Sequence, residues 1–174
     1  MPIKAPSHTD IDNIVAQMED RMKRVLTRRL MYVGEMCVNK ARNLPLPPRS
    51  IYWDSSTGER QRHIPRHTPN YIDWTANLRS SIGYVVVMDG QIVGKSDFSS
   101  VKGIDSDGKN GSKKGREYAR RLATRFPQGV ALIVVAGMDY ASYVQRKGYD
   151  VLVSAEQLAN SMLTQLNAKI THVQ

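Results

Sequence analysis

The stretch from Asp10 to Pro45 limits what this chain can fold into more than any other. Apolar side chains recur there at Ile11, Ile14, Val15, Met18, Met22, Val25, Leu26, Val33, Met36 and Cys37. The intervals are three and four residues, the period of one helix face. Arg21, Lys23, Arg24, Arg28 and Arg29 fall largely beside or opposite that stripe. Thr9 or Asp10 is placed to cap the first turn, where the amides have no helical carbonyl to reach. Pro45, Pro47 and Pro48 stop the helix, because each lacks an amide donor and disfavours helix in the residue before it. A span of about 33 residues is roughly 50 Å long, which exceeds the width of one domain of 174 residues. Part of this helix is therefore expected to pack on something else, with a neighbouring copy as the first candidate.

The remainder reads as α+β. Residues 45–72 form an extended arm or loop, punctuated by proline, serine and glycine, with Arg60, Arg62 and Arg66 along it and a turn at Asp54 to Arg60. Ile51, Tyr52 and Trp53 suit a short strand. Asp73 to Ile82 predicts a short helical turn capped by Asp73 or Thr75. Gly83 to Met88 and Gln91 to Gly94 predict a hairpin across Asp89-Gly90, two residues that tolerate positive φ. The polar, glycine-rich run 97–114 predicts a flexible loop. Glu117 to Phe126 predicts a short helix ended by Pro127. Gly129 to Gly137 predicts the central buried strand, and Tyr149 to Val153 a further strand. Ser154 and Gln157 make a capping box for a last helix striped by Leu158, Ala159, Met162, Leu163, Leu166 and Ile170. The fold expected is one domain over 1–174: long N-terminal and C-terminal helices packed on a small, mainly antiparallel sheet.

Composition narrows the function classes. Twenty-five Lys and Arg against 16 Asp and Glu leave a formal charge of +9, which favours acidic partners, nucleic acid or protein. Residues 95–125 hold nine Lys/Arg and four Asp/Glu. Lys113, Lys114, Arg116, Arg120 and Arg121 are the candidate phosphate contacts, weighed against a solvated face or an acidic protein partner. Cys37 is the single cysteine, which excludes an internal disulfide and a cysteine-rich metal site, and its apolar setting predicts a packed thiol. The N-terminal MPIKAPSHTD has no apolar core of the kind a secretory signal needs.

Catalytic patterns fail on inspection. Gly103 to Asn110 imitates a phosphate-binding loop, but Asn110 stands where Ser or Thr would hold magnesium, and Asp105 and Asp107 repel phosphate. As a calcium loop starting at Asp105, the run lacks glycine at Asn110 and glutamate at Arg116. His63 and His67 flank Pro65 with no HExxH glutamate. Ser80 and Ser81 lack the GxSxG setting of a nucleophile. The expectation is a protein without catalytic residues, cofactor or metal.

Two segments carry a resemblance. Thr75-Ala76-Asn77-Leu78-Arg79-Ser80-Ser81-Ile82, followed by a hairpin, resembles the "TGNLRxSI" segment of the HK97 gp10-like family of phage neck and tail-completion proteins, with Ala76 at the usual glycine. Tyr140 to Gly148 resembles that family's "YAxYVExG", with Gln145 at the usual Glu and extra residues before the glycine. Their order between a long first helix and a last helix is similar as well. The resemblance implies a structural protein of a tailed phage or prophage, present in the virion and, before assembly, in the host cytoplasm. It implies joining of head to tail through a self-associated ring, hexameric or dodecameric, between connector or stopper and tail tube, with channel DNA as a further contact; no membrane is expected, because no apolar run approaches the roughly 20 residues a span requires. Leu78, Arg79, Ile82, Tyr140, Tyr143 and Gln145 are the candidate interface residues; closure of the monomer's own core is the competing reading. A basic nucleic-acid-binding module and a tail-terminator or minor tail protein are the alternative functions.

Overall fold

The structure is a computed structural model that describes residues 8–45, 50–63, 70–104 and 106–171. Helix α1 runs His8–Arg42, 35 residues and about 52 Å at 1.5 Å per residue. Its first turn already contains His8, Thr9 and Asp10, so neither expected cap residue stands outside the helix. A hairpin of β1 (Ser50–Asp54) and β2 (Glu59–His63) follows, then α2 (Asn77–Ser80), β3 (Ile82–Met88), β4 (Gln91–Lys95), α3 (Lys109–Ala123), β5 (Val130–Ala136), α4 (Ala141–Arg146) and α5 (Val153–Thr171).

The main sheet has the order β4-β3-β5, antiparallel throughout. Asp89 and Gly90 take φ of 47° and 80°, the positive pair that a two-residue hairpin turn requires. Alternate residues of β3 face opposite layers. Ile82, Tyr84 and Val86 pack with Leu30, Val33, Cys37, Val38 and Ala41 of α1, joined by α5. Val85 and Val87 pack on the other side with Phe98, Ala119, Ala123, Ile133 and Val135. The result is α1 and α5, then sheet, then α3, which is the α+β architecture expected.

Four local expectations are corrected. The central strand is β3, not the more apolar β5. β5 is apolar on both faces because helices cover both, yet it lies at an edge and stays half-buried. The run 97–114 is not a free loop: α3 begins at Lys109, Phe98 is fully buried, and the Ser112 hydroxyl donates to the Phe98 carbonyl. This helix start escapes a hydrophobicity pattern because its buried side is Gly111, Ser112 and Gly115. Tyr149 to Leu152 form no strand. The capping box at Ser154 and Gln157 does not form either. The Asp150 carboxylate accepts from the Ser154 amide at 3.1 Å, α5 starts at Val153, two residues before the start a Ser154 cap would give, and among the described residues the Ser154 hydroxyl is buried without a partner.

Residues 45–72 do contain a β-arm. β1 and β2 pair from Ser50↔His63 to Asp54↔Glu59 and form a sheet of their own.

Candidate functional site

The first motif is the joint between layers. Ala76 sits at φ 55°, a left-handed conformation that suits glycine and strains alanine. The N-cap position itself is Ala76, with no side-chain cap; the Asp73 carboxylate instead accepts from the Arg79 amide (3.1 Å) and the Thr75 hydroxyl from the Asn77 amide (3.3 Å), so both side chains hold the first turn from upstream. The Asn77 side chain accepts from the Gly111 amide (3.0 Å), docking α3 onto α2. The buried Ser80 hydroxyl accepts from Val101 N (2.8 Å), and the Ser81 hydroxyl donates to Leu78 O (2.7 Å), roles that are structural rather than nucleophilic.

Leu78 and Ile82 are enclosed by their own chain, at 1% and 0% exposure. They are therefore core residues and not interface contacts. The reason is geometric: α2 leads directly into the central strand, so Ile82 enters the core under α1 while Leu78 is covered by Tyr71, Met138, Ala141 and Val151. Arg79 does not point freely outward. It lines a cleft of about 750 Å³ with Arg42, Lys95, Glu35 and Asp97, where its Nε is buried without a hydrogen bond. Arg42 donates to Ser99 O at 2.6 Å; burial lowers its pKa most, Asp97 opposes that, and Arg79 adds to it.

The structure brings the second motif against the first. Ala141 and Met138 share a cluster with Leu78, Tyr71 and Val151. Tyr140 lies beside Asp73 and Thr75; burial foremost, then the Asp73 charge, raises its pKa. Tyr140 and Tyr143 stay exposed, and Gln145 does too. Lys147 stands 5.4 Å over the Tyr143 ring. Gly148 closes the segment at φ 88°.

The basic candidates divide. Arg60 is exposed on β2, opposite the exposed Trp53. The backbone of Arg62 pairs with Ile51, and Arg66 lies outside the described residues. On α3, Lys114 is tied to Asp139, whose pKa it holds down chiefly through their hydrogen bond. Arg121 stacks over Tyr118 at 5.0 Å. Lys113, Arg116 and Arg120 are exposed.

An uncovered apolar surface lies on α1, where the single stripe read from the sequence splits in two. Its C-terminal half buries Leu30, Val33, Cys37, Val38 and Ala41. The body reaches forward as far as Thr27, which meets Met88, and Lys23, which bonds Asp89 at 2.7 Å. Every residue from 8 to 22 is exposed. Ile11, Val15, Met18, Met22 and Val25 alternate by four and three residues along this exposed part, the seam of a helix that pairs with another helix. Met18 and Met22 are 60% and 68% exposed. Cys37, by contrast, is the packed thiol expected: its Sγ meets Ala155 O at 3.3 Å, and burial raises its pKa.

Among the described residues no cluster of three or more metal-ligating side chains occurs, and no helix is long and apolar enough to cross a membrane. No protein-family model, curated protein or solved structure matches the chain. What fold and surface define is a three-layer α+β domain that leaves half of its longest helix uncovered.

Proposed function

We propose that this chain is a structural virion-assembly protein of a tailed phage or prophage, which joins head to tail by associating with its own copies in a ring. It makes and breaks no covalent bond. Its partners are further copies, the connector or stopper on one side and the tail tube on the other. One observation carries the reading: an apolar seam on the projecting half of α1, far more exposed than a domain core would leave it. A run of 15 helical residues has little stability alone in water, and its seam loses free energy when another helix covers it. The two motif segments support the same reading, since Tyr140 and Tyr143 keep apolar rings at the surface beside the joint that positions them.

Sedimentation of the purified protein tests this. Burying a methionine side chain is worth about 1.5–3 kcal/mol, and roughly two-thirds of that remains to be gained at Met18 and Met22. Met18→Ser/Met22→Ser should therefore weaken association by about 30- to 700-fold, with the fold intact. In a phage carrying the gene, the same pair of changes should leave filled heads and finished tails unjoined. A wild-type chain that stays monomeric at every concentration, alone and with its virion neighbours, overturns the reading.

A further inference from the structure

We propose that the outward face of α3, with Lys95 of β4, is a binding surface for the phosphate backbone of duplex nucleic acid. This goes beyond the self-association reading and stands on different residues, across the sheet from α1.

Helix α3 carries six Lys and Arg against one Glu in 15 residues. Two of the six are already paired, Lys109 with Asp107 and Lys114 with Asp139. Lys113, Arg116 and Arg120 have no carboxylate partner among the described residues; Arg116 makes one long bond, 3.5 Å, to a backbone carbonyl at Asp97. Their spacing of three and four residues aligns them on one face over about 10 Å. Lys95, Arg116 and Arg120 together border a groove of about 310 Å³ between α3 and β4, with buried Val85 and Phe98 beneath.

The helix is seated so that this face is rigid. A Cβ on Gly111 would lie 2.0 Å from Asn77 O, and one on Gly115 2.5 Å from Ser81 O. α3 thus rests with its backbone directly on α2 and the start of β3. A charge concentration of this kind repels itself and adds nothing to the core. Beside Ile92 and Val93 of β4, which line the same groove at 38% and 39% exposure, the exposed positions of α3 are polar or charged throughout and supply no apolar anchor of the kind that dominates protein interfaces. They also lack aromatic rings on which unpaired bases stack. A regular polyanion needs neither, because its affinity comes from phosphate neutralisation and counterion release.

The test is fluorescence anisotropy of a short DNA duplex as salt is raised, in the Met18→Ser/Met22→Ser background so that self-association does not multiply the contacts. Four phosphate contacts give a log–log slope of about −3.6, so affinity should fall about 150-fold between about 50 and 200 mM salt. Lys113→Gln/Arg116→Gln/Arg120→Gln should bind weakly and flatten that fall to about 4-fold. Arg21→Gln/Arg28→Gln/Arg146→Gln, with the same charge removed from α1 and α4, should keep the steep slope. An equal loss in both triple variants, a shallow slope in the parent, or displacement of the duplex by polyglutamate as efficient per charge as by DNA overturns the proposal. None of these results alters the association measured for wild-type α1.

Discussion

Gly34 lies in the interior of α1, and replacing it with alanine separates what a helix prefers from what this packing permits. By helix propensity alone, Gly34→Ala should stabilise by about 1 kcal/mol. The added Cβ would stand 2.6 Å from Cδ2 and Cγ of Tyr84 and 2.9 Å from Cε2. Ordinary carbon contacts are about 3.5–4.0 Å, so roughly 1 Å is missing. The ring has nowhere to swing: it is 1% exposed, Cγ is its fixed end, and its hydroxyl donates to Glu35 at 3.0 Å. Overpacking of this kind costs about 1–3 kcal/mol, and losing the Glu35 bond about 0.5–1.5 more. Set against the propensity gain, the net is about 0.5–3.5 kcal/mol of destabilisation, or a fall of roughly 1–14 °C in Tm for a domain of this size. Urea unfolding measures it. The double variant Gly34→Ala/Tyr84→Leu should recover most of the loss, with a coupling of about 0.5–3 kcal/mol. A Gly34→Ala protein as stable as the parent, or more so, refutes the close α1–β3 contact.

Three further outcomes are expected. Ala76→Gly should leave stability unchanged or raise it by up to about 1 kcal/mol, since the left-handed strain is relieved while one buried methyl is lost, whereas Ala76→Val should destabilise by about 1–3 kcal/mol; chemical denaturation distinguishes them. Burial, reinforced by the bond to Glu35, pushes the Tyr84 pKa up to about 12. Its contribution to stability is therefore complete below pH of about 10, the ordinary tyrosine value, and is lost as pH rises through about 12. Tyrosinate absorbance should show late titrating tyrosine among the eight, and a single transition near pH of about 10 for all of them contradicts this. Asp150→Ala should remove the cap of α5 at a cost of about 1 kcal/mol by thermal unfolding, and Ser154→Ala should not.

Period and turn chemistry made much of the fold legible. The α1 stripe, the Asp89-Gly90 turn and the apolar run of β5 are local patterns, and each appears as an element near its expected place. What failed was local as well, but silent in composition. The start of α3 buries glycine and serine, which hydrophobicity does not register. A capping box competes with a carboxylate four residues upstream, and proximity gave the cap to Asp150. Strand order is another such case, because apolarity reports how many faces are covered and says nothing of which edge is free.

For the candidate site, sequence alone named segments without knowing which side chains face outward. It determined that Leu78 and Ile82 share a short helix and strand start, that Tyr140 and Tyr143 flank a turn, and that the region around Lys113 is basic. Only the tertiary structure decided that Leu78 and Ile82 close the monomer, that Arg79 turns into a cleft beside Arg42, and that Lys95 joins Arg116 and Arg120 from another strand. It also decided where the first helix leaves the body. Periodicity fixes an angle around a helix axis. Which part of that face meets the chain's own sheet depends on how far the sheet extends, and here it stops near Lys23.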